Sequence, residues 1–329
     1  MIDTIKMFTT EFKLMNNNKF VHQQTSNYST GELTGEKLFC NLPHFNIDIK
    51  TTDKKILFIQ TSLPKLIYRT SLYEIKEQDT EKAIKAIEQQ LKMSGVSISN
   101  NSLNDFDLSR LDFCKNIQVE NNIIDYLLYF NKFYYSKRMK TELKSETVTY
   151  RNKSQQLTFY NKIKEIQDTE KDKEIIELVQ DLPQDILRIE SRLLKKRTIE
   201  QELKKNNVKF CNIFNMDIAR NKLLKDINCL VQDSQEQIEL AFEQNTELLN
   251  YIKSKKKRNV FTTFLAAKGA EQFLSEFNND YDKILSFFLD HFSKAQSHRN
   301  RNELRKFQRL IENRKQKDLL KEIRYKIAA

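Results

Sequence analysis

The stretch TVTYRNKSQQLTFYNKIKE, residues 147–165, determines how the middle of the chain is expected to fold. Its two ends are rich in Thr, Val, Tyr and Phe, which favour β-strands, and the RNKSQQ between them favours a turn. The stretch therefore predicts a β-hairpin. Because side chains alternate along a strand, Leu157 and Phe159 are expected to face the core. The opposite face then carries Thr158, Tyr160 and Lys162.

Two further segments repeat this alternation of apolar and ionisable side chains. They are LRIESRL, residues 187–193, and RLDFC, residues 110–114. If each is a strand, its ionisable side chains lie opposite its apolar ones. A solvated outer face and a shared polar site both produce this pattern, and the pattern alone favours the solvated face. The residues expected to point away from the core are Arg110, Asp112, Arg188, Glu190 and Arg192.

The rest of the sequence divides into a mixed part and a helical part. Short β-type runs such as FNIDIK and KILFIQTSL occupy the first part of the chain, and Thr80–Met93 has the spacing of an amphipathic helix. A charged helix is predicted from Lys162 to about Asp181, and β signals end near Thr198. We therefore predict an α+β fold. An antiparallel sheet with flanking helices forms a catalytic domain (residues 1–200), and an all-α, basic DNA-binding or interaction domain (residues 201–329) follows it.

Composition excludes several classes of protein and of site. The four glycines form neither GxxxxGK nor GxGxxG, which excludes a P-loop ATPase and a dinucleotide enzyme. The four cysteines have no CxxC pairing and no His at zinc-ligand spacing, so we expect reduced thiols. The N-terminal MIDTIKMF lacks the apolar core of a signal peptide, and Ile123–Phe130 is too short to span a bilayer. The chain is expected to be soluble and cytoplasmic.

The positive charge of the chain is unevenly placed. The net charge is +11, residues 294–329 hold 12 Lys and Arg against 4 Asp and Glu, and KSKKKR occupies residues 253–258. This distribution is typical of a polyanion binder, although a solvated helix surface would look the same. A basic helix predicted from about Ser297 either presents Arg to phosphates or binds a partner or second copy. The side chains expected to contact DNA are Lys65, Arg110, Arg188, Arg192, Lys255, Lys256, Lys257, Arg258, Arg299, Arg301 and Arg305.

Tyr160 is the candidate nucleophile of the hairpin, and Lys162 is its candidate catalytic partner. A tyrosine hydroxyl has a pKa of about 10. Attack on a phosphodiester therefore requires nearby positive charge to stabilise the phenolate and the transition state. Lys162 is expected on the same face as Tyr160, where it can contact phosphate. Tyr150 is the rival nucleophile, although the pattern favours packing beneath the turn.

Carboxylates on the neighbouring predicted strands are candidate ligands for a divalent cation. Asp112 and Glu190 are the best placed, and Asp48 in FNIDIK is a weaker third. A cation held there would orient a phosphate oxygen and stabilise the charge of the transition state. A histidine-based metal site is not expected, because the four histidines never occur as a His-hydrophobic-His pair.

Five segments occur in an order that one known family shares. They are MID at the start, TSLPKLIY (residues 61–68), SRLDF (109–113), TVTYRNKSQQLTFYNKIKEIQ (147–167) and LRIESRLLKK (187–196). Together they resemble the gene II / X family of rolling-circle replication initiators of filamentous phages, over roughly residues 1–215. The chain departs from phage relatives in lacking Trp and several glycines, and it shows little match from about Phe214 onward.

The resemblance implies a sequence-specific nickase and strand transferase. Such an enzyme cuts one strand of a double-stranded origin, becomes attached to the 5′ phosphate through a tyrosine, leaves a 3′-OH primer and later rejoins the displaced strand. The tyrosine maps to Tyr160, and Asp112 and Glu190 fall on acidic positions suited to Mg²⁺ or Mn²⁺. Lys65 is then expected near the DNA.

The same resemblance implies origin DNA as the partner. A host helicase, a single-strand-binding protein and a second copy of the chain are further partners in this interpretation. The competing hypothesis is a non-catalytic origin-binding or replication-control protein of a plasmid or phage. That protein would need the basic C-terminal region but no acidic cluster.

Overall fold

The computed structural model describes residues 1–26, 33–51, 53–98, 103–143, 146–254, 264, 276–277, 281–291 and 319–328. Strands and α-helices alternate irregularly along these ranges. The strands are β1 (Ile2–Thr9), β2 (Phe12–Leu14), β3 (Val21–Ser26), β4 (Leu33–Leu42), β5 (Phe45–Thr51), β6 (Lys55–Ser62), β7 (Val96–Ile98), β8 (Asp107–Gln118), β9 (Met139–Leu143), β10 (Thr147–Arg151), β11 (Gln155–Asn161) and β12 (Ile186–Leu193). The helices are α1 (Leu63–Tyr68), α2 (Thr80–Met93), α3 (Ile123–Asn131), α4 (Lys162–Thr169), α5 (Lys173–Gln180), α6 (Lys196–Leu203), α7 (Met216–Ser254), α8 (Tyr281–His291) and α9 (Leu319–Ala328).

One large sheet organises the first two thirds of the chain. It contains ten strands in the order β3-β4-β5-β6-β1-β8-β12-β11-β10-β9, and β2 pairs with β7 in a separate two-stranded sheet. Every pairing between these strands is antiparallel. Helices flank the sheet, and no strand occurs among the described residues after Leu193. The predicted fold class, an antiparallel sheet followed by a helical part, is confirmed.

The hairpin predicted from the opening stretch is formed by β10 and β11. Thr147 pairs with Tyr160, and Tyr150 pairs with Leu157. The turn is closed by the side chain of Asn152, whose Oδ1 accepts hydrogen bonds from the amides of Ser154 and Gln155, both at 2.9 Å. Asn favours such turns because its short side chain bonds to the backbone just beyond it.

The two faces of the central strands differ in chemistry, but both are buried. Leu111, Leu157 and Ile189 are each fully buried on the apolar face. On the other face Asp112 and Glu190 are 0 % and 1 % exposed. The solvated outer face that the alternation favoured is therefore wrong for β8 and β12. Strand alternation reveals which side chains share a face, but chain segments remote in sequence decide whether that face is covered.

The helix predicted over residues 162–181 consists of two helices, α4 and α5. Asn161 caps α4 by accepting a hydrogen bond from the Lys164 amide at 3.1 Å, and Asp172 caps α5 by accepting one from the Glu174 amide at 3.1 Å. Each cap satisfies an amide that the helix itself leaves unbonded. The two helices share an apolar cluster. Its members are Ile163, Ile166, Ile175 and Val179, with Leu72, Leu182 and Ile186 packed against them.

The predicted amphipathic helix is confirmed as α2, and it ends where the sequence indicates. Its buried stripe consists of Ala83, Ile87 and Leu91. Gly95 follows with φ at +75°, and a Cβ there would lie 2.6 Å from the carbonyl oxygen of Asn16. Glycine is therefore required both by the left-handed backbone and by the close approach of another segment.

Two compact units account for the chain. Unit 1 comprises residues 1–127, 138–226 and 324–329, and unit 2 comprises residues 128–137 and 227–323. Divisions thus fall inside α3, α7 and α9, and the domain boundary at residue 200 stays a prediction. In unit 2 the ring centroids of Phe242 and Phe287 are 5.1 Å apart in an edge-to-face contact. Among the described residues, no helix has the length and apolar character needed to cross a bilayer.

Candidate active site

The register of three neighbouring strands brings the predicted polar faces together. β12 lies between β8 and β11, so side chains directly opposite one another share a face. The polar face therefore consists of three cross-strand rows. They are Tyr160–Arg188–Asn116, Thr158–Glu190–Cys114 and Gln156–Arg192–Asp112.

Tyr160 contacts a carboxylate within this face. Its hydroxyl donates a hydrogen bond to Oε2 of Glu190 over 3.4 Å. Tyr160 is half-buried, whereas Glu190 is 1 % exposed. Burial raises the pKa of Tyr160 well above its ordinary value, and the positive charge of Arg188 opposes that rise. The tyrosine is therefore a neutral phenol in this arrangement, with a proton acceptor at its oxygen.

Glu190 and Asp112 are joined through Arg192. The Nε of Arg192 lies 2.9 Å from Oε1 of Glu190 and 3.6 Å from Oδ2 of Asp112. Arg110 donates hydrogen bonds to both carboxylate oxygens of Asp112, from Nε to Oδ1 over 2.9 Å and from Nε to Oδ2 over 3.1 Å. Two buried carboxylates thus lie around one guanidinium group. Both arginines retain partial solvent exposure, since their side chains are 24 % and 31 % exposed.

The buried position of Asp112 changes its acidity. Burial raises the pKa of Asp112 to about 7, the hydrogen bond from Arg110 opposes that rise, and the negative charge of Glu190 adds to it. A carboxyl group takes up a proton this readily only where its charged form is poorly solvated.

Arg188 differs from the expectation that it contacts DNA. It is 1 % exposed, and its Nη2 lies 2.7 Å from Oδ2 of Asp3 in β1. Its Nη1 donates to the carbonyl oxygen of Ser71 at 2.9 Å. Burial acts to raise the pKa of Asp3. The charges of Arg188, Lys162 and Arg192 and the hydrogen bond from Ser62 together outweigh it, so the pKa of Asp3 is lowered. Arg188 is thus a fixed interior cation, held directly opposite Tyr160.

Lys162 lies beside Tyr160, but in a different setting from the predicted strand face. It is the first residue of α4, because the Asn161 cap ends the strand. Its Nζ lies 5.8 Å from the centroid of the Tyr160 ring and forms an ion pair with Glu165. Burial, and then the charge of Arg188, lower the pKa of Lys162. The lysine is 2 % exposed.

Tyr150 lies on the opposite face of the hairpin from Tyr160. It pairs with Leu157 and is 1 % exposed. Burial raises the pKa of its hydroxyl. This placement within the apolar face agrees with the packing role that the pattern favours.

The structure does not bring Asp48 to the polar site. Asp48 lies in β5, which is separated from β8 by β6 and β1. At about 4.8 Å per strand, that places it about 14 Å away across the sheet. It forms an ion pair with Lys37 at 3.0 Å instead. Across the described residues, no group of three or more His, Cys, Asp or Glu side chains is placed to hold a metal ion.

The remaining predicted DNA contacts are scattered or lie outside the described residues. Lys65 is in α1, where its Nζ lies 4.0 Å from a carboxylate oxygen of Glu170. The predicted contacts that lie outside the described residues are Lys255, Lys256, Lys257, Arg258, Arg299, Arg301 and Arg305.

Asp3 is the site residue that sequence reasoning missed. The register between β1 and β8 shifts between Ile2 and Ile5, which is the signature of a β-bulge. Asp3 also accepts a hydrogen bond from Ser62 at 2.9 Å. Strand alternation cannot reveal a bulge, and the MID motif at the chain start is the one sequence signal that includes this residue.

The comparison with family models agrees with the resemblance seen in the sequence. A family model described as the N-terminal region of the gene II replication-associated protein matches residues 1–217. A solved structure of a rolling circle replication initiator protein from Geobacillus stearothermophilus is 10 % identical and has a TM-score of 0.32, covering 69 % of this chain and 84 % of that one. No match was found among curated proteins. Because the family model spans well over half of the chain, the protein belongs to the gene II family of replication-associated proteins, which act as rolling-circle replication initiators.

Proposed function

We propose that this protein starts replication by nicking one strand of its origin with Tyr160. The observation that carries the proposal is the 3.4 Å hydrogen bond from the Tyr160 hydroxyl to Glu190, on a polar face shared with Asp112. In the reaction, the Tyr160 oxygen attacks the scissile phosphorus as its proton passes to Glu190. The bond between phosphorus and the 3′ oxygen breaks, and that oxygen takes a proton from water. The products are a 5′-phosphotyrosine and a 3′-OH primer.

Two interior cations support this attack. Arg188 is opposite Tyr160 in the register, and its charge already counteracts the effect of burial on the phenol. Its Nε has no hydrogen-bond partner within the part of the chain that the structure describes. Lys162 lies against the same ring. Fixed cations in a desolvated site stabilise developing negative charge more strongly than the same groups would in water.

Asp112 and Glu190 are the residues that would hold Mg²⁺ or Mn²⁺. Magnesium sites that act on phosphates use one or two carboxylates and complete the shell with phosphate oxygens and water. The poorly solvated charge of Asp112, whose pKa burial raises to about 7, fits such a role. When bound, the ion supplies positive charge to the phosphate in the transition state. Arg110 and Arg192, which compensate these carboxylates, are partly exposed, and we expect them to contact a DNA phosphate.

Rejoining of the displaced strand is the reverse of the same step. A 3′-OH attacks the phosphotyrosine and loses its proton to water, the bond between phosphorus and the Tyr160 oxygen breaks, and that oxygen recovers a proton from Glu190. Tyr150 does not provide a second nucleophile on this face, because it is buried on the other side of the hairpin. We expect both nicking and closure to depend on Tyr160.

A pair of tyrosine variants tests the proposal. The substrate is a set of supercoiled plasmids that together carry the whole replicon encoding this protein, incubated with Mg²⁺ or Mn²⁺. We expect relaxed plasmid with protein attached to the 5′ end, and we expect Tyr160→Phe to abolish the adduct while Tyr150→Phe retains it. An adduct with Tyr160→Phe would contradict the assignment. Footprinting without any nicking, unchanged by EDTA, would instead favour the non-catalytic origin-binding protein.

A further inference from the structure

The polar face continues from Tyr160 toward one edge of the sheet. Thr147 in β10 pairs with Tyr160 on one side and with Leu143 of β9 on the other. Arg151 likewise pairs with Gln156 and with Met139. These side chains therefore share the face of Tyr160. We call the set Met139, Leu143, Thr147 and Arg151 the outer track.

The cross-strand row that contains Tyr160 is covered on the side away from β10. There the row continues to Arg188 and Asn116. Both donate hydrogen bonds to the backbone of the segment after α1, at the carbonyl oxygens of Ser71 and Leu72. That segment covers the face beyond Tyr160. A polymer that reaches Tyr160 along this row must therefore come over β10 and β9.

Three of the four residues of the outer track are exposed, and two of these three are apolar. Leu143 and Met139 are 64 % and 55 % exposed, and every residue of β9 is exposed. Apolar side chains in solvent next to a reactive centre are candidates for contact with an apolar part of the substrate. The surrounding segment suits a polyanion, since residues 137–153 contain six Lys and Arg against two Glu.

We propose that the outer track binds the single-stranded DNA that flanks the scissile phosphate and guides it to Tyr160. The proposal rests on the nicking function proposed above. Bases are available to Leu143 and Met139 only in an unpaired strand, because a duplex presents mainly its phosphates at the surface. Leu143 is two strands from Tyr160, or about 10 Å, which is the length of about three nucleotides of a stacked strand. Arg151, exposed on the same face, supplies a phosphate contact.

A matched pair of double variants tests the track. The first is Met139→Ala/Leu143→Ala. The control is Met15→Ala/Val21→Ala, which removes two equally exposed apolar side chains, at 73 % and 56 %, from the opposite end of the sheet and the loop beside it. The probe is a fluorescein-labelled oligothymidylate, and its Kd is measured by fluorescence anisotropy at several salt concentrations. Melting temperatures confirm that both variants are folded.

The track variant is expected to bind the oligothymidylate about three- to tenfold more weakly, with an unchanged salt dependence. Arg151→Gln is expected to reduce the log–log salt slope by about 0.7 instead. Duplex DNA of the same length should bind the unmodified protein, the track variant and the control variant alike. Unchanged affinity of the track variant, or an equal loss in the Met15→Ala/Val21→Ala control, would overturn the proposal.

Two further outcomes distinguish DNA binding by the outer track from pairing of β9 with a second copy and from failure of the nickase proposal. If the track variant changes the sedimentation of the protein but not its DNA affinity, β9 is an edge for pairing with a second copy, and the proposal is overturned. Adduct formation on the replicon plasmids is measured in parallel. If the unmodified protein forms the adduct but the track variant binds oligothymidylate with unaltered affinity, the nickase proposal is retained and the outer-track proposal is overturned. If the track variant binds oligothymidylate more weakly but the unmodified protein forms no adduct, the outer-track proposal is supported and the nickase proposal is contradicted.

Discussion

Two parts of the same sheet carry charged residues in the same alternating pattern and use them differently. In β5, Asp48 pairs with Lys37, and these side chains are 24 % and 35 % exposed. In β8 and β12, Asp112 and Glu190 are almost completely buried around Arg192. A solvated pair contributes little free energy, whereas buried charges are costly and persist where they are compensated. This difference supports our proposal that the centre of the sheet, rather than its β5 side, is the reactive region.

The largest expected effect comes from removing the proton acceptor of Tyr160. Glu190→Gln keeps the shape of the side chain but cannot take the phenol proton, so adduct formation is expected to slow by about a hundredfold or more. The measurement is the rate of covalent adduct formation on a supercoiled replicon plasmid. Asp48→Asn is the matched control on the β5 side and should keep the rate of the unmodified protein. Equal losses in both variants would show that the two regions do not differ as described.

A stability comparison tests the same contrast without any substrate. Arg188→Met removes the partner of Asp3 and leaves a buried carboxylate uncompensated, which is expected to lower the free energy of unfolding by about 3–5 kcal/mol. Lys37→Met breaks the exposed pair with Asp48 and should lower it by no more than about 1 kcal/mol. Urea unfolding measures both. Adding Asp3→Asn to Arg188→Met should recover part of the lost free energy of unfolding. Similar losses for Arg188→Met and Lys37→Met would contradict the difference between the buried and the more exposed pair.

The pH dependence of stability gives a smaller effect with a definite sign. Burial raises the pKa of Asp112 to about 7, so between about pH 4 and pH 7 the folded protein holds a proton that the unfolded chain has released. The contribution of this group therefore falls as the pH rises through that window, by at most about 1.4 kcal/mol per pH unit. In urea unfolding between about pH 4 and pH 7, Asp112→Asn should lack this decrease in the free energy of unfolding with rising pH, and Asp48→Asn should keep it. An unchanged profile in Asp112→Asn would place the titration elsewhere.

Sequence reasoning reached the hairpin and the shared faces because both follow from local chemistry. The two-residue period places Tyr160 and Leu157 on opposite faces of β11, and Asn152 provides the turn. The register that aligns Tyr160, Glu190 and Asp112 depends on pairing between β8, β11 and β12. The sequence was compatible with that pairing but did not specify it.

Other features could not be read from local patterns. The covering of the polar face depends on carbonyl groups of Ser71 and Leu72, more than 40 residues from Asn116 in sequence. The role of Asp3 depends on a bulge in β1. The alternation that includes Tyr160 extends the strand face to Lys162, whereas the charged-helix pattern predicts a helix from Lys162 onward. The structure agrees with the helix, which begins at Lys162 after the Asn161 cap.

The central claim is that Tyr160, and not Tyr150, forms the covalent bond to DNA. Trypsin cleaves after Lys and Arg, so it releases Tyr160 in the peptide of residues 154–162 and Tyr150 in the peptide of residues 145–151. Mass spectrometry of the nuclease-trimmed adduct from unmodified protein can therefore assign the attachment directly. We predict a nucleotide mass on the peptide of residues 154–162 alone. A nucleotide mass on the peptide of residues 145–151 would contradict the account.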